Sequence, residues 1–166
     1  IWSNLIGNIR SLEKLLAPLS PAVIFGQTPM EERRDLLKRF RTSNYCNILI
    51  SNPQTLGEGV SLHKDCHEAI YLDRSYNAGQ YLQSLDRIHR LGLPPEQVTN
   101  IHLLQTVGTI DERISIRLAQ KVERLAEALN DKHLVELSLP EDENLPNEII
   151  GIDQYDLNDL FEHLKK

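Results

Sequence analysis

Short apolar segments alternate with stretches of helical periodicity, and this alternation restricts the fold more than any other feature of the chain. Each segment suits a strand, and two of them, NILIS and EAIYLD, have the apolar core expected of central parallel strands that are buried on both faces. Parallel strands need crossover connections, which the intervening helical stretches supply. The pattern therefore predicts an α/β fold with a mostly parallel central sheet. The segments are AVIF (22–25), NILIS (47–51), EAIYLD (68–73) and QVTNIHLLQ (97–105), with IWSN (1–4) as a further strand at the start.

The helical stretches carry start and stop signals as well as apolar stripes. The run from Thr28 to Glu31 has the composition of a capping box and predicts a helix that continues to about Arg41. The run from Thr109 to Glu112 predicts a second capping box at the start of a long helix. A helix over 78–91 is expected to end at Gly92. The first apolar stripe consists of Ile9, Leu12, Leu15, Leu16 and Leu19.

Length and composition are those of one soluble globular domain, since the 166 residues are 40% hydrophobic. The two cysteines, Cys46 and Cys66, are too few for a disulfide framework. There is no basic-then-apolar leader, and no apolar run reaches the ~18 residues that a membrane span needs. We expect a cytoplasmic protein without a membrane partner, with a bacterial or viral source as one option, and a nuclear one if the source is eukaryotic.

The net charge of −6 is concentrated towards the end of the chain. Residues 1–130 carry 15 Lys and Arg against 14 Asp and Glu, whereas residues 131–166 carry 3 against 10. The near-neutral body is therefore compatible with binding a polyanion. We expect residues 131–166 to form an acidic extension that ends in a short helix and packs on a body formed by residues 1–130.

The segment QSLDRIHRLG (83–92) places polar side chains at helical spacing. Gln83, Arg87 and Arg90 are separated by four and three residues, so they would share one face of a helix. For an isolated pair of arginines, a solvated face is the ordinary explanation. The motifs that surround this segment favour a functional one.

This segment resembles motif VI of the superfamily 2 helicases, in the form found in the Swi/Snf-like ATPases. Other segments are similar to motifs of the same family, in the family's order, over residues 1 to about 130. Several ordered motifs make the resemblance far more specific than one motif would. IWSN resembles motif IV, VIFGQTPMEERRDLLKRF (23–40) the strand, turn and helix after it, ILISNPQTLGEGVSL (48–62) motif V, and TIDERI (109–114) the start of the helix after the last strand.

The resemblance implies the second RecA-like lobe of a two-lobed motor. Such a lobe is a three-layer sandwich with helices on both faces of the sheet, followed here by the C-terminal helical extension. ATP would bind between this lobe and an N-terminal RecA-like lobe that carries the P-loop and holds the Mg²⁺. The 166 residues contain neither a P-loop nor an Asp-Glu box. We therefore expect the full-length parent to hydrolyse ATP and the isolated lobe, truncated at its amino-terminal edge, to be inactive.

The resemblance also assigns residues to the nucleotide. Arg90 is expected to be the principal arginine finger, which stabilises the charge that develops on the transferred phosphate. Arg87 would make a second phosphate contact, and Gln83 would couple the nucleotide to nucleic acid. The motif V loop would add a backbone that glycine lets approach the ligand closely. The residues of this loop are Gly57, Glu58 and Gly59.

Six residues at predicted strand ends match family positions that contact the nucleic-acid backbone, and double-stranded DNA is the expected partner. Open parallel sheets bind ligands at this edge. The predicted helix after Gly26 carries five basic residues, for which a solvated face and phosphate contact both remain open. The six are Ser3, Asn4, Gly26, Gln27, Ser51 and Asn52; the five are Arg33, Arg34, Lys38, Arg39 and Arg41.

Two other interpretations remain. The first is a nucleic-acid- or protein-binding module that keeps the lobe without a motor, although a pure binder has no use for Arg87 and Arg90. The second is an unrelated phosphate-binding enzyme, which would need a complete active site of its own. Departures from the family pattern at Leu56, Ser61 and Leu93 leave the subfamily open.

A metal site is not expected. His63, Cys66 and His67 fall within five residues and have no distant pair of partners, which does not fit the ligand spacing of a structural zinc site.

Overall fold

The computed structural model describes residues 1–56, 60–89, 94, 96–128 and 154–164. The chain forms a parallel sheet built from two pairs of strands. The first strand pairs with the second, and Ala22 lies opposite Leu49; the third pairs with the fourth, and Glu68 lies opposite Asn100. The strands are β1 (Ala22–Ile24), β2 (Leu49–Ser51), β3 (Glu68–Tyr71) and β4 (Asn100–Leu103).

The segment around Trp2 joins the two pairs of strands into one sheet. On one side the Trp2 amide donates to Ile70 O at 2.7 Å, and the Leu72 amide donates to Trp2 O at 2.9 Å. On the other side the Ser3 amide donates to Ser51 O at 3.1 Å. Trp2 thus forms parallel bridges to both β2 and β3. The sheet order is β1, β2, the Trp2 segment, β3 and β4, which confirms the predicted α/β fold.

The helices follow the predicted order, and the apolar core lies between them and the sheet. One cluster of buried side chains contains Trp2, Ile24 and Tyr71 from the sheet and Leu37 from a helix. A second packs Leu82 against the long helix near the end of the body. The helices are α1 (Ile6–Leu15), α2 (Met30–Thr42), α3 (Ala78–Asp86), α4 (Ile110–Ala128) and α5 (Gln154–Leu164), with a 3₁₀ turn at Ala17–Leu19.

The predicted stripe of the first helix is buried over only part of its length. Ile9 is fully buried, whereas Leu15 is 74% and Leu19 54% exposed. The helix ends at Leu15 and gives way to the 3₁₀ turn, and Ser20 adopts a left-handed conformation with φ of 48°. Leu15 is still in the helix but lies about 120° around its axis from Ile9. Leu19 lies in the 3₁₀ turn, where the helical phase is lost.

The first predicted capping box is wrong in its contacts, although the helix itself is present. The Thr28 hydroxyl accepts from the Phe25 amide at 3.1 Å, so it closes the turn before α2 instead of capping the helix. The position before the helix is occupied by Pro29. At α4 the Thr109 hydroxyl does accept an amide of the first turn, that of Asp111, at 3.3 Å.

The last helix is attached to the body by buried charges. Asp156 of α5 is buried and pairs with Lys121 of α4, whose side chain is 1% exposed. Arg117 donates to the same carboxylate at 3.1 Å. The Lys121 ammonium also donates to the carbonyl of Tyr76, just before α3, at 3.1 Å. The ion pair between Lys121 and Asp156 therefore connects α4, α5 and the residues just before α3.

Replacing Asp156 by Ala should destabilise the protein, because it leaves the Lys121 charge buried without its carboxylate. The expected loss is about 3–5 kcal/mol in the free energy of unfolding, measured by chemical denaturation. The double variant Lys121→Met with Asp156→Leu is the control and should lose less, since the fully buried ammonium is removed together with its carboxylate, while Arg117 keeps its bond to Gln120. Equal losses in the single and double variants would contradict this account.

Candidate nucleotide and nucleic-acid site

The carboxyl ends of the parallel strands meet at one edge of the sheet, where ligands bind in folds of this kind. The six residues expected to contact nucleic acid lie along this edge but differ in accessibility. Gly26 and Gln27 after β1 are exposed, Asn4 and Asn52 are half-buried, and Ser3 and Ser51 are buried. The edge therefore presents some of these side chains and uses others internally.

Asp73, just after β3, holds the start of the chain at this edge. Its carboxylate accepts hydrogen bonds from the Ser3 hydroxyl, from the Asn4 amide at 2.6 Å and from the Asn8 side chain at 3.0 Å. The Ser3 hydroxyl therefore has an internal acceptor in Asp73. Sequence reasoning missed Asp73, although an acid at the end of the buried run EAIYLD was a visible signal.

A groove of about 650 Å³ separates the loop after β1 from the loop after β2. Each wall is a hydrogen-bonded turn. On one wall the Thr28 amide donates to Phe25 O at 2.8 Å. On the other wall the Thr55 amide donates to Asn52 O and to the Asn52 side chain, each at 3.2 Å, which closes a β-turn. The residues that line the groove include Gly26, Arg33, Arg34, Asn52, Gln54 and Thr55.

Arg87 joins the segment after the motif V loop to the end of α3. Its guanidinium donates to Val60 O at 3.4 Å, and its own carbonyl accepts from the Leu62 amide at 2.7 Å. The side chain is 7% exposed. These contacts link residues 25 or more positions apart and connect the two segments that were expected to bind the nucleotide.

The helix carrying the polar line is shorter than predicted. It ends at Asp86, and the Ile88 and His89 amides both donate to Leu85 O, at 3.0 and 2.9 Å, in the turn that follows. Gln83 is exposed on the helix, while Arg87 is buried in the turn beyond it, so the two do not share one helical face. Arg90, Gly57, Glu58 and Gly59 lie outside the described residues, as does the predicted stop at Gly92.

A buried hydroxyl chain fixes α3 against the centre of the sheet. The Ser84 hydroxyl donates its single proton to Tyr81 O at 2.7 Å. It therefore accepts the hydrogen bond from the Tyr71 hydroxyl, at 2.6 Å. Burial raises the pKa of Tyr71 well above its ordinary value, and the bond to Ser84 offsets only part of that rise. Tyr71 is therefore a neutral donor across the physiological range.

Arg74 is a further cation at this edge that sequence reasoning passed over. It follows β3 and donates to the Ser115 hydroxyl of α4 at 2.5 Å. Its guanidinium lies 5.9 Å from the ring centre of Tyr81 on α3. Burial raises the pKa of Tyr81, an effect that the charge of Arg74 opposes. Arg74 thus connects β3 to both neighbouring helices.

The three residues considered for a metal do not gather into a ligand set. The His63 ring contacts the Ser61 hydroxyl at 2.5 Å, and the Cys66 thiol lies 3.1 Å from Glu68 O. Within the part of the chain that the structure describes, no group of three His, Cys, Asp or Glu side chains could hold a metal ion. The described helices include none that is long and apolar enough to cross a membrane.

Comparison with known proteins decides the family. Residues 2–92 match the family described as the helicase conserved C-terminal domain. The chain belongs to this family. The crystal structure of the C-terminal part of the Fun30 ATPase domain superposes with a TM-score of 0.62 and 27% identity, over 70% of this chain and 38% of that one. The resemblance to the C-terminal RecA-like lobe of Swi/Snf-like ATPases is confirmed.

The curated relatives are much longer than this chain. The chromatin-remodeling ATPase INO80 of Neurospora crassa is 38% identical over 98 residues, which are 59% of this chain and 5% of the relative. INO80 of Mus musculus is 31% identical over 128 residues, covering 71% of this chain and 8% of the relative. The human TATA-binding protein-associated factor 172 is 29% identical over 104 residues, covering 60% and 6%.

These relatives overturn one expectation. They are eukaryotic proteins whose names refer to chromatin and to the TATA-binding protein, both of which belong to the nucleus. The prediction of a cytoplasmic protein is therefore wrong. It rested chiefly on the low cysteine count, which indicates a reducing compartment but carries no information on the compartment within the cell.

Replacing Ser84 by Ala should destabilise the lobe more than replacing Tyr71 by Phe. The first change leaves the buried Tyr71 hydroxyl without its acceptor, at an expected cost of about 1–3 kcal/mol. The second leaves Ser84 bonded to Tyr81 O, and about 1 kcal/mol is expected. Chemical denaturation of both variants measures the difference. A larger loss in Tyr71→Phe would contradict the assigned direction of the hydrogen bond.

Proposed function

We propose that this chain is the second motor lobe of an ATP-dependent DNA translocase or helicase of the Swi/Snf-like class. In the full-length protein an N-terminal RecA-like lobe would hold the triphosphate and its Mg²⁺. This lobe would close the nucleotide site and contact a nucleic-acid backbone, with double-stranded DNA as the partner. The observation that carries the proposal is the pair of hydrogen bonds between Arg87 and the segment Val60–Leu62, which joins motif V to motif VI.

The residues present suit phosphate better than metal. A guanidinium can donate two parallel hydrogen bonds to phosphate oxygens, and Arg87 and Arg90 bring two such groups in four residues. Among the described residues, the Asp73 carboxylate lies at this edge, and three donors already occupy it. Mg²⁺ is therefore assigned to the other lobe, whose ATP this lobe would meet from the opposite side.

The proposed chemistry is transition-state stabilisation from across the cleft. As water attacks the terminal phosphate, negative charge grows on the transferred group and on the leaving oxygen. Arg90 would act as the arginine finger on that charge. Arg87, held against Val60, would make the second contact at the edge of the cleft. Gln83 is exposed on α3 and would report nucleotide occupancy to the nucleic acid.

The proposed nucleic-acid contact is sequence-independent. The groove between the loops after β1 and β2 offers exposed Gly26 and Gln27, half-buried Asn52 and the exposed cation of Arg34. Such groups suit phosphate oxygens, which position a protein on a duplex without reading its bases. Alternating closure of the cleft would let this surface grip and release the backbone as ATP is consumed.

Replacing Arg90 by Ala in the full-length protein should lower DNA-stimulated ATP hydrolysis about 10³-fold or more, as loss of a transition-state arginine does. Steady-state phosphate release measures the effect. Arg124→Ala is the control, because Arg124 is an exposed arginine on α4 and its loss should leave turnover unchanged. Near-normal turnover in Arg90→Ala would exclude the finger. Background turnover in the parent protein would favour a binding module without a motor.

Replacing Arg34 by Ala should weaken DNA binding and make it less sensitive to salt. Each phosphate contact releases counterions, so the slope of log K against log salt should become shallower by about one. Fluorescence anisotropy with a labelled duplex at several salt concentrations measures this slope. Lys64→Ala removes an exposed charge elsewhere and should leave the slope unchanged. An unchanged slope in Arg34→Ala would remove that side chain from the interface.

A further inference from the structure

Two adjacent arginines line the groove at the start of α2, and the structure treats them differently. Arg34 is exposed, and no hydrogen bond to its guanidinium occurs within the described part of the chain. Arg33 is half-buried and donates to three backbone carbonyls. An arginine on a solvated helix face would donate mainly to water. Arg33 instead donates to protein carbonyls, which indicates a structural role.

The three carbonyls belong to both walls of the groove. Arg33 Nε donates to Thr28 O at 2.8 Å and Nη2 to Gly26 O at 3.2 Å, both in the loop after β1. Nη1 donates to Thr55 O at 3.4 Å, in the loop after β2. One planar guanidinium thus spans the gap between the two loops.

Each loop also has hydrogen bonds of its own. The turns at Phe25–Thr28 and at Asn52–Thr55 are closed by them. A guanidinium presents its N–H groups in a fixed fork, whereas a lysine ammonium is a point donor on a flexible stem. Lysine at this position would keep the positive charge but could not donate to the carbonyls of both loops in the same geometry.

We propose that Arg33 is a positioning residue that holds the two loops at the separation a phosphate backbone requires, while Arg34 supplies the direct contact. This inference rests on the proposed nucleic-acid function of the groove. Arg33 acts through Gly26, Thr28 and Thr55 and does not itself neutralise phosphate. Its contribution to binding is therefore geometric, and it should be insensitive to salt.

The test compares Arg33→Lys with Arg34→Ala in the full-length protein. Arg33→Lys should raise amide hydrogen exchange in segments 26–28 and 52–56, because the loops lose their link. It should weaken duplex binding about tenfold at every salt concentration, with the slope of log K against log salt unchanged. Arg34→Ala should do the reverse, with a shallower slope and unchanged exchange. Arg33→Gln, which keeps one donor, serves as a second variant if Arg33→Lys does not fold, and it should give the same pattern.

Three results would overturn the proposal. A slope that becomes shallower by about one in Arg33→Lys would make Arg33 a direct phosphate contact. Unchanged exchange in both loops would show that the guanidinium does not hold them. Raised exchange with parent-like DNA affinity would reduce its role to stability alone. Failure of the proposed function is a separate outcome, since the parent protein would then bind no duplex and Arg34→Ala would change nothing.

Discussion

The pairing of the Trp2 segment between β2 and β3 is the contact on which the rest of the described structure depends. Without it the sheet would be two separate pairs of strands. Backbone hydrogen bonds on both sides of Trp2 bring the carboxyl ends of β2 and β3 to one edge. The stacked rings of Trp2 and Tyr71, 6.3 Å apart, continue this junction into the core. The candidate site exists because that edge is continuous.

Polar contacts then fix each element that leaves the edge. Asp73 holds the start of the chain, the hydroxyls of Tyr71 and Ser84 hold α3, and Arg33 holds the two loops around the groove. Each of these contacts links residues that are distant in sequence or belong to different elements. Together they leave Gln27 and Arg34 accessible while Ser3 and Ser51 are enclosed. The same edge thus separates structural polar groups from those available to a ligand.

Burial of charge follows the same logic in the acidic extension. The segment beyond residue 130 is rich in acids, yet the described contact uses one of them, Asp156, in a buried pair with Lys121. A buried ion pair adds little to the free energy of unfolding, but removing one partner is strongly destabilising because the other charge stays buried. It therefore fixes where α5 sits more than it strengthens the lobe. Through Tyr76 O the pair also reaches the entrance of α3, which carries Gln83 and leads to Arg87.

Local pattern was enough to predict the order of strands and helices, because apolar runs and helical stripes reflect burial that each element needs by itself. The ordered motifs were also enough to identify the family. The same pattern could not show that the Thr28 hydroxyl turns back to Phe25 or that α3 stops at Asp86, because both depend on which distant or neighbouring group competes for a hydrogen bond. It placed Gln83 and Arg87 on one face, whereas in the structure Gln83 is exposed on α3 and Arg87 is buried in the turn that follows.

The sequence by itself determined the fold class, the family and the chemical types available at the strand ends. Only the tertiary structure decided which of those groups remain available. Arg33 and Arg34 are neighbouring residues of the same type, and they differ because two loops, one of them 22 residues away, present carbonyls to Arg33. Side-chain roles depend on partners brought together by the chain's path, and those partners are not encoded in local spacing.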